Sequence, residues 1–307
     1  HEVTAGIAAD YFNETARGSE RAFALVTAGP GLTNIVTAIG GAWLESRELL
    51  VIGGQAKVSD LAHGRVRQIG HQEIDGVGIS EKITKYSLLA ERRLEKYEVF
   101  QATRASRSGR KGPVFIEMCI DVSAMPPLEK ETRILPGVSK LPSTNLNDLS
   151  NLLSLYREAE RPIILLGGGI DRKNSEVSIQ KLMSSGVPLA TTWNGFDRTS
   201  YEYDYYCGRP NTYGMRWANI LIQQADLVIA VGTRLGVQQV GFASHLFAPI
   251  GKVVQVDIDQ NELEKGFPRI DMPILADANN FLTEFTNAIQ AEPKDLDSWQ
   301  TFIKEVR

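Results

Sequence analysis

Runs of consecutive apolar residues recur along the chain, separated by segments in which apolar residues return every three or four positions. A run that is apolar at both odd and even positions fits a strand buried on both faces, as in a parallel sheet covered by helices. The runs that predict strands are AFALVT (22–27), LLVIGG (49–54), PVFIEM (113–118), RPIILL (161–166), VPLATT (187–192), DLVIAVG (226–232) and KVVQVDID (252–259). The alternation predicts an α/β protein.

Helical spacing predicts amphipathic helices between these runs. They cover residues 32–44, 93–108 and 145–160, and the tail from residue 279 is helical as well. The chain starts directly in such a pattern, at HEVTAGIAADYF (1–12), without Met and without a capping residue in front of the helix. We therefore expect the sequence to be a piece of a longer polypeptide.

The composition changes in the middle of the chain. Residues 121–149 contain four prolines, several charges and little periodicity, which is typical of a segment between domains. A length of 307 residues fits two domains of roughly 150 residues. We predict two doubly wound parallel-sheet domains, at residues 1–122 and 147–307, joined by a linker at 123–146.

Composition says more about the possible partners of the protein than about its fold. The formal net charge is −4 and no basic stripe is present, which argues against a nucleic-acid surface. No apolar run approaches the roughly 20 residues of a membrane span, and no signal peptide is recognisable. Cys119 and Cys207 have neither metal-ligand spacing nor a disulfide pattern. We predict a cytoplasmic protein without nucleic-acid or membrane partners and without a metal-ligand set in this chain.

Two segments of the first half are candidates for chemistry. In TAGPGLTN (27–34), a strand runs through Gly-Pro-Gly into a helix. Glycine lets a ligand approach the backbone, and the helix start offers unpaired N–H donors, although an ordinary strand-to-helix turn explains the same pattern. The polar segment GHQEID (70–75) makes His71 a candidate for the lip of an active site, although a lone histidine is more often structural.

Two further candidates lie in the second half. Gly167, Gly168 and Gly169 follow an apolar strand and could let a phosphate approach the backbone. The pattern is not GxGxxG, the residue after it begins no obvious helix, and a tight turn that needs glycine is the alternative. Asp257 and Asp259 end a strand, where acidic residues often bind ribose hydroxyls. A solvated strand end or a helix N-cap is the alternative there.

Taken in order, the motifs resemble a known family. In the first half they are HEVTAGIAADYF, VTAGPGLTN, Glu45-Ser46, VIGGQ, RQIGHQEID, ITKY and GPVFIE. This series resembles the pyrimidine-binding domain of thiamine diphosphate enzymes, in the group of acetolactate synthase and pyruvate oxidase. In the second half, LLGGGI, TTWNGF, GMRWAN, DLVIAVGTRL and VQVDID resemble the Rossmann-like central domain of that group. The resemblance implies that the start of the first domain and a C-terminal domain, which binds Mg2+ and diphosphate, lie outside this sequence.

The resemblance also implies roles for residues of the first domain. Glu2 matches the glutamate that contacts the aminopyrimidine ring of thiamine diphosphate, so that the ring itself can remove the proton of the thiazolium carbon. For that role we expect a low-dielectric pocket that raises the pKa of Glu2 toward neutrality. Thr27, Gly29, Pro30 and Asn34 match the loop and helix that face the aminopyrimidine.

Three departures from the acetolactate synthases bear on the reaction. Gln72 matches a glutamine on the substrate side, but His71 stands where those enzymes carry a phenylalanine. Ile120 replaces a lysine, and Gln238 replaces an arginine thought to hold the carboxylate of the acceptor. A charge-assisted bond of that kind is worth ~1.5–3 kcal/mol. With Glu2, Gln72 and His71 as catalytic residues, we expect carboligation or decarboxylation of pyruvate or another 2-oxo acid, with a different acceptor.

The central domain of the group binds FAD in some members and ADP or nothing in others. The residues near the flavin-binding positions are Arg110, Gly167, Gly168, Gly169, Thr192, Arg234, Asp257 and Asp259. This sequence departs from the group at residues 211–213 and 236–237, which leaves FAD open. A bound flavin would be structural, because carboligation needs no electron transfer.

The resemblance therefore implies a thiamine diphosphate- and Mg2+-dependent transferase or lyase, assembled as a homodimer or homotetramer when intact. Two alternatives remain: a dinucleotide-dependent oxidoreductase built on the triple-glycine strand, and an inactive fragment that needs partner domains. We expect the 307 residues alone to be inactive, because the diphosphate anchor is outside them.

Overall fold

The computed structural model describes residues 1–16, 18–126 and 141–307. The chain forms two compact units, His1–Ser139 (unit 1) and Lys140–Arg307 (unit 2). The predicted linker, 123–146, lies largely outside the described residues, so its boundaries stay a prediction.

Unit 1 contains a four-stranded parallel sheet. Its strands are β1 (Ala24–Val26), β2 (Leu49–Gln55), β3 (Tyr86–Ala90) and β4 (Pro113–Cys119). They lie in the order β1-β2-β4-β3, with every pair parallel. The helices are α1 (Glu2–Thr15), α2 (Pro30–Leu44), α3 (Gly76–Ser80), α4 (Lys96–Arg107) and α5 (Ile120–Ser123), with 3-10 helices at Val58–Asp60 and Glu81–Ile83.

The core of unit 1 explains why its apolar runs became strands. Val51 of β2 pairs with Phe115 of β4, and both side chains are fully buried. Ile35 and Ile39, one helical turn apart on α2, are buried in the same cluster. Because the carboxyl ends of parallel strands meet at one edge of the sheet, the turn after β1 lies at the same edge as Gln55 of β2.

Unit 2 contains a five-stranded parallel sheet. Its strands are β5 (Pro162–Leu166), β6 (Leu189–Thr191), β7 (Leu227–Val231), β8 (Lys252–Asp257) and β9 (Met272–Leu275). They lie in the order β6-β5-β7-β8-β9. The helices are α6 (Leu146–Glu158), α7 (Arg172–Ser184), α8 (Arg216–Gln224), α9 (Val237–Val240), α10 (Gln260–Glu264), α11 (Ala278–Ala291) and α12 (Asp297–Val306), with a 3-10 helix at Ser244–Leu246.

The strand order of unit 2 reverses at β5. From β5 the chain moves outward to β6 on one side, and it then continues through β7, β8 and β9 on the other. In open α/β sheets, a crevice for ligands forms outside the carboxyl ends of the strands at such a switch point. Here that point lies between the ends of β5 and β7.

The predicted fold class, two parallel-sheet α/β domains, is confirmed, and each of the seven predicted strands is present. The expectation of an uncapped start was wrong, because the His1 side chain accepts a hydrogen bond from the Val3 N–H (3.4 Å) and caps α1. Within the three described stretches, no helix is both long and apolar enough to cross a membrane.

Candidate functional site

The start of α1 lies beside the first turns of α2. The Asn34 side-chain amide donates to Oε2 of Glu2 (3.0 Å), although the two residues are 32 positions apart in sequence. Gly6 permits this close approach of the helices, since a Cβ at Gly6 would lie 2.5 Å from the Cβ of Ala38 and 2.6 Å from Cδ1 of Ile35. The contact between the two helices therefore sets the position of the Glu2 carboxylate.

Replacing Gly6 with Ala is expected to lower the free energy of unfolding of unit 1 by about 1–3 kcal/mol, because the added methyl overpacks the contact between α1 and α2. Gly40→Ala is the matched control in α2. A Cβ at Gly40 meets nothing within 4 Å, so this change should raise the free energy of unfolding by roughly 0.5–1 kcal/mol. Hydrogen exchange of the slowest β2 and β4 amides measures both. Equal effects of the two variants would contradict the close packing.

The Gly-Pro-Gly turn places Thr27 and the start of α2 next to Glu2. Pro30 is the first residue of α2, and Gly29 precedes it as N-cap with φ of +58°. A Cβ at Gly31 would lie 2.7 Å from Cγ2 of Thr27 and 3.6 Å from Oε1 of Glu2. The Glu2 carboxylate thus lies over the turn at the start of α2.

The segment that carries His71 and Gln72 meets the same turn. A Cβ at Gly29 would lie 2.6 Å from the backbone carbonyl oxygen of Gln72, and Gln72 itself has φ of +56°. The side chains of His71 and Gln72 are exposed. The Glu73 carboxylate fixes the backbone before them, because it accepts N–H donors from Ala62 (2.6 Å), Ile69 (2.9 Å) and Gly70 (3.0 Å).

The structure thus brings together six predicted residues from four places in the sequence: Glu2, Thr27, Gly29, Pro30, Asn34 and Gln72. The Glu2 carboxylate and the Asn34 amide make up a polar surface beside the start of α2. Such a surface can bind a heterocycle that donates a hydrogen bond to the carboxylate.

The expected electrostatic environment of Glu2 was wrong. The side chain is 29% exposed, and the pKa of Glu2 is lowered from its ordinary value, first by a hydrogen bond from its own backbone N–H and then by the Asn34 amide. Donors that favour the charged form outweigh desolvation here. The chain itself therefore keeps this carboxylate ionised rather than protonated near neutrality.

Glu117 is a residue that sequence analysis missed. It sits in the middle of β4 and is 1% exposed. Burial raises the pKa of Glu117 to about 7, although backbone N–H groups of Val77 and Gly76 and the Gln55 side chain donate hydrogen bonds to it and oppose that shift. The Nε2 of Gln55 lies 2.9 Å from Oε1 of Glu117. The available signal was a single ionisable residue within the apolar run PVFIEM.

In unit 2 the triple glycine is explained by the fold itself. A Cβ at Gly167 would lie 2.2 Å from the carbonyl oxygen of Gly232, and one at Gly168 would lie 2.9 Å from Cβ of Asn194. The Gly169 N–H donates to the same Gly232 oxygen (2.9 Å). The ends of β5 and β7 are therefore packed against each other through glycine, as the tight-turn alternative requires.

As expected, Ile170 begins no helix, but a helix starts two residues further along the chain. It is α7, which begins at Arg172, and the Asp171 carboxylate caps it by accepting the N–H groups of Lys173 (3.0 Å) and Asn174 (2.9 Å). The single residue Ile170 separates the glycines from this cap. The N-cap aspartate was the overlooked signal.

The remaining predicted flavin contacts fall into both units. Thr192 is buried, and its N–H donates to the Leu166 carbonyl (2.9 Å), while Arg234 is exposed after β7. Arg110 belongs to unit 1, where its guanidinium donates to Oγ of Ser46 (3.2 Å). These placements leave the flavin assignment a prediction.

The two aspartates after β8 have structural partners. Asp259 is the N-cap of α10 and accepts the Asn261 N–H (3.0 Å), which bears out the N-cap alternative. Asp257 is buried, and its carboxylate accepts the Asp259 N–H (3.0 Å). Among the described residues, no group of three or more His, Cys, Asp or Glu side chains could hold a metal ion.

Comparison with known proteins matches both units to one enzyme family. Residues 1–79 match the N-terminal TPP binding domain of thiamine pyrophosphate enzymes, and residues 149–285 match their central domain. Thiamine pyrophosphate is another name for thiamine diphosphate.

Three curated relatives are acetolactate synthase large subunits. Over the whole of this chain, the identity is 31% to a probable acetolactate synthase large subunit of Methanocaldococcus jannaschii, of which 52% is covered. It is 28% to the acetolactate synthase large subunit of Corynebacterium glutamicum, with 49% covered, and 29% to the isozyme 1 large subunit of Escherichia coli, with 53% covered. The chain therefore spans about half the length of the curated relatives it matches.

Proposed function

The chain belongs to the thiamine pyrophosphate enzymes, with an N-terminal cofactor-binding domain and a central domain, and from this we propose that it serves thiamine diphosphate-dependent carboligation or decarboxylation of a 2-oxo acid such as pyruvate. The observation that carries the proposal is the Glu2 carboxylate, which is oriented by Asn34 and lies over the Gly-Pro-Gly turn. The acetolactate synthase names of the relatives support the same reaction class.

The residues present fit the aminopyrimidine part of the cofactor. The partly exposed Glu2 carboxylate can exchange a hydrogen bond with a ring nitrogen, and Asn34 keeps it in place. The backbone at Gly29 has a positive φ and no side chain, which lets the Gln72 backbone lie directly against the turn beside the Glu2 carboxylate. When bound, thiamine diphosphate supplies a ring that stabilises a carbanion.

In this proposal the chain's own residues bind, orient and hold a proton. Glu2 would share a proton with a ring nitrogen of the heterocycle. Because the pKa of Glu2 is lowered in this chain, the carboxyl would hold that proton only when a bound ring desolvates it and accepts its hydrogen bond. Gln72 and His71, exposed beside the turn, are proposed to contact the 2-oxo acid. An imidazole at residue 71 adds a donor that can also act as acid or base.

The acceptor substrate is proposed to differ from that of acetolactate synthesis. Ile120 and Gln238 are both exposed and uncharged. The resemblance places them where a lysine and a carboxylate-binding arginine would stand, so an anionic acceptor would lose charge-assisted hydrogen bonds. A neutral acceptor, or decarboxylation without an acceptor, suits these side chains better.

The other components are also proposals. Mg2+ and the diphosphate are assigned to protein outside this chain, the intact enzyme to a homodimer or homotetramer, and its location to the cytoplasm. FAD stays a prediction, because the triple glycine is already explained by packing against Gly232. No observation in the described residues favours a dinucleotide-dependent oxidoreductase.

The test uses the intact protein as its gene encodes it. Pyruvate consumption should depend on both added thiamine diphosphate and Mg2+ after dialysis against a chelator, because both take part in the proposed site. A set of other 2-oxo acids and neutral aldehydes then identifies donor and acceptor. Pyruvate turnover that persists without the cofactor, or no 2-oxo acid turnover with it, would contradict the proposal.

A further inference from the structure

We propose that Glu117 is a positioning residue for the Gln72 segment (residues 70–77). It holds this segment against the Gly29 turn through the Gln55 side chain and through the backbone N–H groups of the segment itself. The functional half of this inference rests on the proposed function, since it takes Gln72 to face the substrate. The structural half stands on the contacts of the segment alone.

The first step is the set of donors that converge on Glu117. Its Oε1 accepts the Nε2–H of Gln55 (2.9 Å), and its carboxyl also accepts the backbone N–H groups of Gly76 and Val77. The side chain is 1% exposed, so water cannot replace these bonds. The Val77 N–H donates to this carboxyl, whereas the Gly76 N–H is shared between Glu117 and the carbonyl oxygen of Ile74 (3.1 Å). A backbone donor that loses its acceptor is costly, so Glu117 stabilises the end of the segment.

The second step is the bridge that Gln55 forms. Its Nε2 donates both to Glu117 and to the carbonyl oxygen of Ile74 (2.8 Å), and its Oε1 accepts the Ala56 N–H (2.8 Å). Gln55 ends β2 and is also buried. The backbone at residues 74, 76 and 77 is therefore tied to β2 and β4, the two central strands of the sheet.

The third step is the place of Gln72 between two anchors. On the N-terminal side of Gln72, the N–H groups of Ala62, Ile69 and Gly70 all donate to the Glu73 carboxylate, which fixes this part of the loop. On its C-terminal side, the hydrogen bonds to Gln55 and Glu117 tie the segment to β2 and β4, and the side chains of Ile74 and Val77 pack against the core of unit 1. The backbone oxygen of Gln72 then falls where any side chain on Gly29 would clash. Loss of the Glu117 anchor should free the segment to move away from the turn.

The test is site-resolved hydrogen exchange of the intact protein. Glu117→Leu keeps most of the volume and removes both acceptor oxygens, whereas Glu117→Gln keeps one of them. The Glu117→Leu variant should lower the protection factors of amides 72–77 by about tenfold or more, and the Glu117→Gln variant should lower them by less. Glu81→Gln, the same change at an exposed glutamate of unit 1, should leave them unchanged. Unchanged protection in Glu117→Leu, or an equal loss at the β2 and β4 amides, would overturn the proposal.

Gln55→Leu gives an independent variant if Glu117→Leu does not fold. It removes the bridge to Ile74 and leaves the carboxyl in place. We expect it to loosen amides 72–77 by a similar factor while the amides of α4 keep their protection. Protection of amides 72–77 equal to that of the unmodified protein would count against the bridge and hence against the proposal.

A double-mutant cycle separates positioning from bulk stability. Glu117→Leu should lower kcat/KM for the 2-oxo acid about tenfold when residue 72 is Gln, and it should have little effect in a Gln72→Ala background. An equal loss in both backgrounds would show that Glu117 does not act through Gln72. If the unmodified protein turns over no 2-oxo acid, the proposed function fails, and the exchange data still decide the structural half.

Discussion

Replacing Glu2 with Gln is expected to lower thiamine diphosphate-dependent turnover by about 100- to 10,000-fold, the usual range for removing a group that holds a proton in the transition state. The Gln side chain keeps an oxygen that can accept the Asn34 donor, so the geometry of the turn should survive. What is lost is the ability to share a proton with the bound ring. Steady-state pyruvate consumption at saturating cofactor measures the effect.

The matched control for Glu2 is Glu20→Gln, the same change at an exposed position of unit 1. It should leave turnover within about twofold of the unmodified protein, as exposed substitutions away from the site usually do. Cofactor affinity of Glu2→Gln, measured by titration, separates lost binding from lost proton transfer. Full turnover in Glu2→Gln would remove Glu2 from the proposed mechanism.

Raising the pH from 4.5 to about 7 is expected to lower the stability of unit 1 through Glu117, whose pKa burial raises from 4.5 to about 7. In this window the folded unit keeps a proton that the unfolded chain has released, so the free energy of unfolding falls as the pH rises and levels off above 7. The full shift corresponds to on the order of 3 kcal/mol. Protection factors of the slowest β2 and β4 amides report it.

The pH effect is isolated by comparison with Glu117→Gln, which cannot titrate. Asp75 acts on Glu117 and raises its pKa, Gln55 is its neutral donor, and Cys119 is the other titratable group on the same strand. The pKa of Asp10 is also raised, by burial, and the difference between the two proteins removes its contribution. Parallel curves of stability against pH for the unmodified protein and Glu117→Gln would contradict the prediction.

The strands could be read from the sequence because their apolar character is continuous. The segments β5 and β7 are apolar at every position, and a run of that kind is typical of a strand that is buried on both faces. The strands β3 and β9 were not predicted. The first is only partly buried along most of its length, and the second has four residues, one of them Pro273. Both lie at a sheet edge, where the hydrophobic signal is weak.

The candidate site was predicted in its members but not in its contacts. The resemblance supplied Glu2, Asn34 and Gln72, yet no spacing rule reports that the Asn34 amide donates to Glu2, because that depends on how closely α1 and α2 pack at Gly6. Likewise, the hydrophobic pattern could not identify Glu117 as a residue of the site, since one carboxyl in an apolar strand does not change that pattern. The expected rise in the pKa of Glu2 was wrong because its place at the start of a helix supplies hydrogen-bond donors that a sequence motif does not reveal.

The anchoring of the Gln72 segment at both ends has an evolutionary consequence. Glu73 and the pair Gln55 and Glu117 fix the backbone, while the side chains of residues 71 and 72 extend into solvent and carry none of those bonds. A substitution at residue 71 therefore leaves these backbone bonds in place, whereas residue 72 must also adopt a φ of +56°. Residue 71 is thus the position at which selection for a new substrate meets the least resistance from the fold, and the histidine there is an exchange that this scaffold tolerates.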